Sequence, residues 1–199
     1  MYNVVEIFKS LQGEGANTGK EVVFVRFAGC NLACDFCDTK HNDGMNTTAG
    51  DILAAALALQ CSNVILTGGE PLFRPGIEML LRELKQHGFW LGLETNGTID
   101  PGETILKLLD YVAVSPKAGA PCLLPGVDEV RIVVTPGMTV ATCQKVRDMV
   151  PAVRYYLSPC ERGGEFNFLD TIRLLGQLNE RTEDKWLLSL QTHKLAKIA

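Results

Sequence analysis

The chain has 199 residues, 46% of them hydrophobic and 21% charged, and 19 Lys and Arg face 23 Asp and Glu for a formal charge of −4. This is the composition of an ordinary folded chain, long enough for one compact domain over residues 1–199 that needs neither disulfides nor a partner to bury its core. It excludes a broad cationic surface for nucleic acid, and the longest apolar run, 52–59, is far short of the roughly 20 residues that cross a bilayer.

No basic stretch followed by an apolar run opens the chain, so a cytoplasmic location is expected. In chain order the pattern predicts strand 22–27, helix 51–60, strand 64–66, helix 77–87, strand 90–93, helix 103–109 and strand 111–114. It continues with strand 129–134, helix 139–150, strand 153–157, helix 168–179 and a weaker strand at 186–190. The strands are rich in β-branched and aromatic residues, and the helices repeat apolar residues three and four apart. Strand and helix in alternation imply a parallel sheet. Right-handed crossovers wind such a sheet in one direction, and the chain is shorter than the roughly 250 residues of a complete eight-stranded barrel. The expected fold is therefore α/β, a partial (β/α) barrel.

Seven cysteines are an odd number, and three of them fall within eight residues while Cys61, Cys122, Cys143 and Cys160 stand singly. Clustered thiols without a secretion signal read as metal ligands or catalytic groups rather than as a disulfide framework. The cluster, Cys30-Asn-Leu-Ala-Cys34-Asp-Phe-Cys37, lies in the loop directly after strand 22–27. Three thiolates on so short a loop can converge on one face of a cuboidal iron–sulfur cluster and bind three of its irons. The fourth iron then stays open to a substrate, whereas a structural cluster normally takes a fourth cysteine. A Cys3His zinc site completed by His41 is the competing use of the same thiols. Packing as small hydrophobes fits poorly, because Asn31, Asp35 and Asp38 make the loop too polar for a core segment. The four single cysteines lack the paired spacing of a second cluster and are assigned to packing.

The other unusual residues also follow strands: Thr67-Gly-Gly-Glu-Pro71 after 64–66, Glu94-Thr-Asn-Gly97 after 90–93, and Ser115-Pro-Lys117 after 111–114. In a parallel barrel these ends share the C-terminal rim with the cysteine loop, where barrel active sites assemble. Gly68 and Gly69 lack Cβ atoms and let backbone groups approach a bound ligand closely, while Glu70 can accept from a donor group. Asn96 and Ser115 can hydrogen-bond a polar ligand.

The cysteine spacing, with Phe36 just before the third cysteine, resembles the signature of the radical S-adenosylmethionine superfamily. Residues outside that core narrow the likeness: Leu11-Gln-Gly-Glu-Gly15, Arg26, Cys37-Asp-Thr39-Lys-His41 and Gln191-Thr-His-Lys194 together resemble the 7-carboxy-7-deazaguanine synthase family. No such likeness covers residues 160–166.

The resemblance implies ring contraction of 6-carboxy-5,6,7,8-tetrahydropterin to 7-carboxy-7-deazaguanine with loss of ammonia, a step toward the deazaguanine bases of modified tRNA. It implies a 4Fe-4S cluster on Cys30, Cys34 and Cys37, reduced by an external donor such as flavodoxin. The radical formed from S-adenosylmethionine takes hydrogen from C6 of the pterin, and the cofactor is regenerated at the end. Implied contacts with S-adenosylmethionine are Phe36, Asp38, Gly68, Gly69, Glu70, Asn96, Ser115, Pro116 and Lys117. Thr39 is implied to ligate Mg2+, a hard cation suited to an oxygen ligand. Implied substrate contacts are Leu11, Gln12, Gly13, Glu14, Arg26, Thr67 and His193, together with the free carboxylate of Ala199. Arg26 stands in an otherwise apolar strand, and its planar guanidinium suits a bidentate grip on a carboxylate. A homodimer is expected to cover apolar surface on the open flank of the barrel.

Two rivals share the cysteine loop. A radical activase acting on a glycine of a partner protein gives no reason for residues 11–15, Arg26 or 191–194. A non-catalytic zinc module predicts a colourless protein.

Overall fold

The computed structural model describes residues 1–37, 39, 43–180, 183 and 185–198. Strand β1 (Tyr2–Leu11) leads into β2 (Glu21–Phe27) through a single 3-10 turn, and β3 (Met45–Thr47) follows the cysteine loop. Then come α1 (Ala49–Ala58), β4 (Asn63–Gly68), α2 (Ile77–Gln86), β5 (Trp90–Thr95), α3 (Gly102–Leu106), β6 (Tyr111–Val114) and β7 (Val127–Val134). The chain continues through α4 (Val140–Met149), β8 (Ala152–Pro159), β9 (Glu161–Arg162), β10 (Glu165–Phe166), α5 (Phe168–Asn179), β11 (Leu187–Leu188) and α6 (Thr192–Ala196).

Nine strands form one sheet in the order β11-β8-β7-β6-β5-β4-β2-β1-β3, and β9 pairs with β10 in a separate hairpin. From β2 to β11 the neighbours run parallel and in chain order, so the helical crossovers wind the sheet steadily one way. Among the described residues no pairing joins β11 to β3, and the barrel stays open. The expected partial (β/α) barrel is the architecture found.

The register shows why the sheet has two different faces. Val25 pairs with Leu66, Leu66 with Leu93, and Leu93 with Val112, and all four point to the helix layer. There they meet Ile52 and Ala56 of α1 and the stripe Ile77, Leu80, Leu81 and Leu84 of α2. Each of these leucines is almost fully buried, which stabilises the fold by about 1.5–3 kcal/mol per side chain before entropy is counted. The intervening residues face the hollow of the barrel. Deep in the hollow, Val22, Phe24 and Ile65 make a small apolar floor with Phe8 and Trp90. One step nearer the C-terminal rim the same face turns polar.

Helix starts follow local capping chemistry. The Thr48 hydroxyl accepts from the Asp51 amide at 3.1 Å while the Asp51 carboxylate accepts from the Thr48 amide at 3.3 Å, a reciprocal box that starts α1 two residues before the expected 51. The Thr139 hydroxyl caps α4 in the simpler way, accepting from the Thr142 amide at 3.2 Å.

Strand β1 was not expected. It runs antiparallel to β2 with a register shift between Val4 and Glu6, and Glu6 and Lys9 interrupt the apolar pattern that marks a buried strand. The strand expected over 186–190 shrinks to Leu187–Leu188, although Trp186 beside it is buried. Among the described residues no helix is long and apolar enough to cross a membrane.

Candidate active site

A cavity of about 640 Å3 opens at the C-terminal rim of the parallel strands, within the size range of small-molecule sites. Its wall is built by strand periodicity. Arg26 of β2, Thr67 of β4, Glu94 of β5, Ala113 of β6, Arg131 of β7 and Ser158 of β8 all line it, each the inward partner of an outward apolar neighbour. Arg26 and Thr67 are register partners on adjacent strands.

The cysteine loop forms one side. Cys30, Cys34 and Cys37 are free thiols, and all three line the cavity, as do Phe36 and Thr39. The loop is tied to the β5 exit by Asn96, whose amide donates to the Asn31 side-chain oxygen at 3.0 Å and lies 3.8 Å from the Cys30 sulfur. Asn31 in turn donates to the Thr98 hydroxyl at 2.7 Å. Lys117 donates to the Ser115 hydroxyl at 2.8 Å, and its ammonium lies 5.6 Å from the centre of the Phe36 ring. Burial pushes the Lys117 ammonium pKa down, opposed by the neighbouring Cys34 and Cys37 thiols. Soft thiolates on one loop beside a cation and amide donors are a donor set that fits an iron–sulfur cluster. Asp38 and His41 lie outside the described residues, so the implied Asp38 contact and the fourth ligand of a Cys3His site have no described position.

The Gly68-Gly69 pair follows from close backbone approach. The Gly69 amide donates to the Phe27 carbonyl at 3.0 Å and the Glu70 amide to the Gly29 carbonyl at 3.1 Å, continuing the β2–β4 contact past the strand ends. Gly68 has φ +117°, and a Cβ on Gly69 would sit 1.9 Å from the Gly29 oxygen. Both glycines also line the cavity.

Glu70 and Pro116 lie off the cavity lining. Glu70 is fully buried, and its carboxylate accepts from the Leu72 amide at 3.0 Å, the Thr95 hydroxyl at 2.8 Å and the Asn96 amide at 2.8 Å. It thereby clamps the exits of β4 and β5 from behind. Burial pushes its pKa up, and these hydrogen bonds together with the Lys117 charge take back part of that rise. Glu70→Gln keeps the shape but sets an amide donor against an N–H or O–H donor, and is expected to cost about 1–3 kcal/mol of stability in urea unfolding. An unchanged midpoint would contradict the clamp.

The opposite side joins the two ends of the chain. The Thr192 amide donates to the Gly13 carbonyl at 2.9 Å, and Gln191 donates to the Glu14 carboxylate at 2.7 Å. The His193 ring packs on Gly13, where a Cβ would stand 2.1 Å from its Nδ1 atom. The segments 11–15 and 191–194, far apart in sequence, therefore meet at one wall. Leu11, Gln12, Gly13, Glu14 and His193 all line the cavity. Arg26 lines it too while donating through Nε to Glu6 at 2.7 Å. Ala199 lies outside the described residues.

Sequence reasoning gave Glu94 and Lys194 no role of their own and omitted Arg131 and Glu161, all of which the cavity includes. Arg131 and Glu129 carried the signal that singled out Arg26, a charge inside an apolar strand. Cys160, assigned to packing, is buried yet also lines the cavity, at the end of β8. Beyond it the β9–β10 hairpin reaches both sides of the mouth: Arg162 pairs with Asp35 at 3.2 Å and Lys194 with Glu161 at 2.7 Å.

The sequence profile of the Radical SAM superfamily matches residues 24–157, the span from β2 to β8 that carries the cysteine loop and the rim. A 7-carboxy-7-deazaguanine synthase of Haemophilus influenzae is 47% identical, with 98% of this chain and 92% of that protein covered. One from Neisseria meningitidis is 46% identical, with 99% and 94% covered. The chain belongs to the 7-carboxy-7-deazaguanine synthase family of the Radical SAM superfamily. The crystal structure of QueE from Escherichia coli superposes with a TM-score of 0.72 at 24% identity, over 95% of this chain and 93% of that one, which fixes the shared fold. Membership in the Radical SAM superfamily implies a 4Fe-4S cluster and S-adenosylmethionine. The likeness to 7-carboxy-7-deazaguanine synthases extends beyond the superfamily span to segments 11–15 and 191–194, which form the wall opposite the cysteine loop.

Proposed function

We propose that the chain is a lyase contracting 6-carboxy-5,6,7,8-tetrahydropterin to 7-carboxy-7-deazaguanine with loss of ammonia, in queuosine biosynthesis. The observation that carries this reading is the meeting of the three thiols, Arg26, Thr67 and the joined 11–15 and 191–194 segments around one cavity. A glycyl-radical activase gives no reason for the last of these. When bound, the cluster and S-adenosylmethionine would supply radical chemistry at C6 of the pterin.

The protein's own groups bind, orient and exclude water. Cys30, Cys34 and Cys37 hold the cluster. Phe36, Asp38, Gly68, Gly69, Asn96, Ser115 and Lys117 receive S-adenosylmethionine, with Glu70 and Pro116 supporting that surface from behind. Arg26 grips the pterin carboxylate through its free guanidinium edge. Leu11, Gln12, Gly13, Glu14, Thr67 and His193 surround the bicyclic ring, and the carboxylate of Ala199 reaches the same pocket. The Thr39 hydroxyl ligates Mg2+ beside the substrate carboxylate. A flavodoxin-type donor supplies the electron, residues 1–199 act as one domain, and the enzyme works in the cytoplasm as a homodimer. Exposed Leu169 and Ile172 on α5, with Val153 and Leu187 at the adjoining sheet edge, support a partner on the open flank.

The test is anaerobic incubation of the reconstituted protein with dithionite, S-adenosylmethionine, Mg2+ and the tetrahydropterin, followed by mass spectrometry. The expected product is 7-carboxy-7-deazaguanine with S-adenosylmethionine unconsumed. Cleavage of S-adenosylmethionine without that product would remove the substrate assignment.

A further inference from the structure

Arg131 is buried in β7 and touches three carboxylates at once. Its Nη1 donates to Glu14, its Nη2 to Glu94 at 2.6 Å, and its Nε pairs with Glu129 at 2.9 Å. One guanidinium thus holds three acids that come from a loop and two different strands. Two of the three, Glu14 and Glu94, line the cavity, and their remaining oxygens are also committed. Glu94 accepts from the Gln12 amide at 2.9 Å and the Thr67 hydroxyl at 2.8 Å, and Glu14 accepts from Gln191. Glu129 stays behind the wall, where it also accepts from the Tyr111 hydroxyl at 2.6 Å and the Ala16 amide at 2.8 Å.

Without the guanidinium, Glu14 and Glu94 would be like charges in a partly dry wall, and one would take up a proton or swing to solvent. With it, both stay ionised acceptors in fixed places. Burial alone would push Glu94 up, yet the Arg131 charge and the hydrogen bonds from Arg131, Thr67 and Gln12 bring its pKa below the usual value. Three acids against one guanidinium also leave this wall net negative, whereas on the β2 side the Arg26 guanidinium is balanced by Glu6 at 2.7 Å. A flat molecule with a carboxylate at one end and N–H donors at the other is oriented by that difference.

We propose that Arg131 is a positioning residue that sets heterocycle specificity: it fixes Glu14 and Glu94 as an acceptor pair, so that the cavity selects a ring edge carrying N–H donors over one carrying carbonyls. The proposal rests on the pterin reading above and adds to it a group that has no need to touch the substrate. The probes are two stable oxidised ligands, pterin-6-carboxylate and lumazine-6-carboxylate, which differ by an amino group against a carbonyl at position 2. Binding is measured by anaerobic calorimetry on the reconstituted protein with S-adenosylmethionine.

Wild type is expected to prefer the pterin by at least about a hundredfold, because a carbonyl would face committed acceptors. Arg131→Gln is expected to shrink that ratio to within about fivefold, with Arg131→Lys in between, since an ammonium cannot serve three acids in fork geometry. Should Arg131→Gln fail to fold, Glu129→Gln serves instead. It removes the charge that fixes Nε from outside the cavity, and the ratio is expected to fall about tenfold. A merely structural role would lower the melting temperature and leave the ratio alone. A variant that folds and discriminates like wild type overturns the proposal and spares the substrate reading; wild type that binds neither ligand overturns both.

Discussion

Gly69→Ala is expected to leave the protein unable to hold iron or turn over, and to unfold far more easily than the parent. The added methyl would stand 1.9 Å from the Gly29 oxygen, 2.4 Å from the Gly29 carbonyl carbon and 3.0 Å from the Cys30 nitrogen. All three are backbone atoms, so no rotamer change relieves the clash. Relief requires the exits of β2 and β4 to separate, which breaks the bonds from Gly69 to Phe27 and from Glu70 to Gly29. Those bonds seat the root of the cysteine loop. Overpacking plus two lost buried hydrogen bonds costs about 3–5 kcal/mol, a large fraction of the 5–15 kcal/mol that holds a typical domain together. Thermal unfolding and iron content per chain would both report it. A variant with normal melting and a full iron complement would show that the close approach is dispensable.

Cys34→Ala should have the reverse signature. The side chain is half-exposed on a loop, so the metal-free fold is expected to keep its stability to within about 0.5 kcal/mol. Iron binding, the visible absorbance of the cluster and turnover are all expected to disappear, because two thiolates cannot hold what three are placed to hold. The cluster's own contribution to stability disappears with it, since a ligand bound only by the folded state stabilises by mass action. The comparison of interest is therefore metal-free variant against metal-free parent. Full activity in this variant would contradict the ligand assignment of the whole loop. Together the two substitutions separate loss of the scaffold from loss of the cofactor.

The parallel core was legible because β2, β4, β5 and β6 combine β-branched or aromatic residues with a glycine-bearing or polar exit, and that pairing marks a barrel rim. The cysteine loop was legible from its spacing alone. Strand β1 was not, because its inward positions mix apolar and charged residues and Glu6, Lys9 and Leu11 are exposed. Glu70 was read as a cavity acceptor from its place in the Gly-Gly-Glu-Pro run, yet bonds from Leu72, Thr95 and Asn96 hold its carboxylate buried behind the rim. Nothing local in the sequence distinguishes those two directions. Arg131 and Glu94 required knowing which strands are neighbours, since their meaning lies in the bond between them. The β9–β10 hairpin also escaped notice: its glycines at 163 and 164, both with positive φ, mark a tight turn, but a two-residue strand on either side gives no periodicity to read.

The wall built from residues 11–15 and 191–194 ties together positions up to 179 apart, almost the full length of the chain. Contacts of that span carry the greatest closure entropy and form after the local pairings have narrowed the search. Intermediates that already hold most of the sheet would still have a slot open along one side. On the proposed function, chains stalled before that slot closes are expected to bind no pterin, however well their strands are paired.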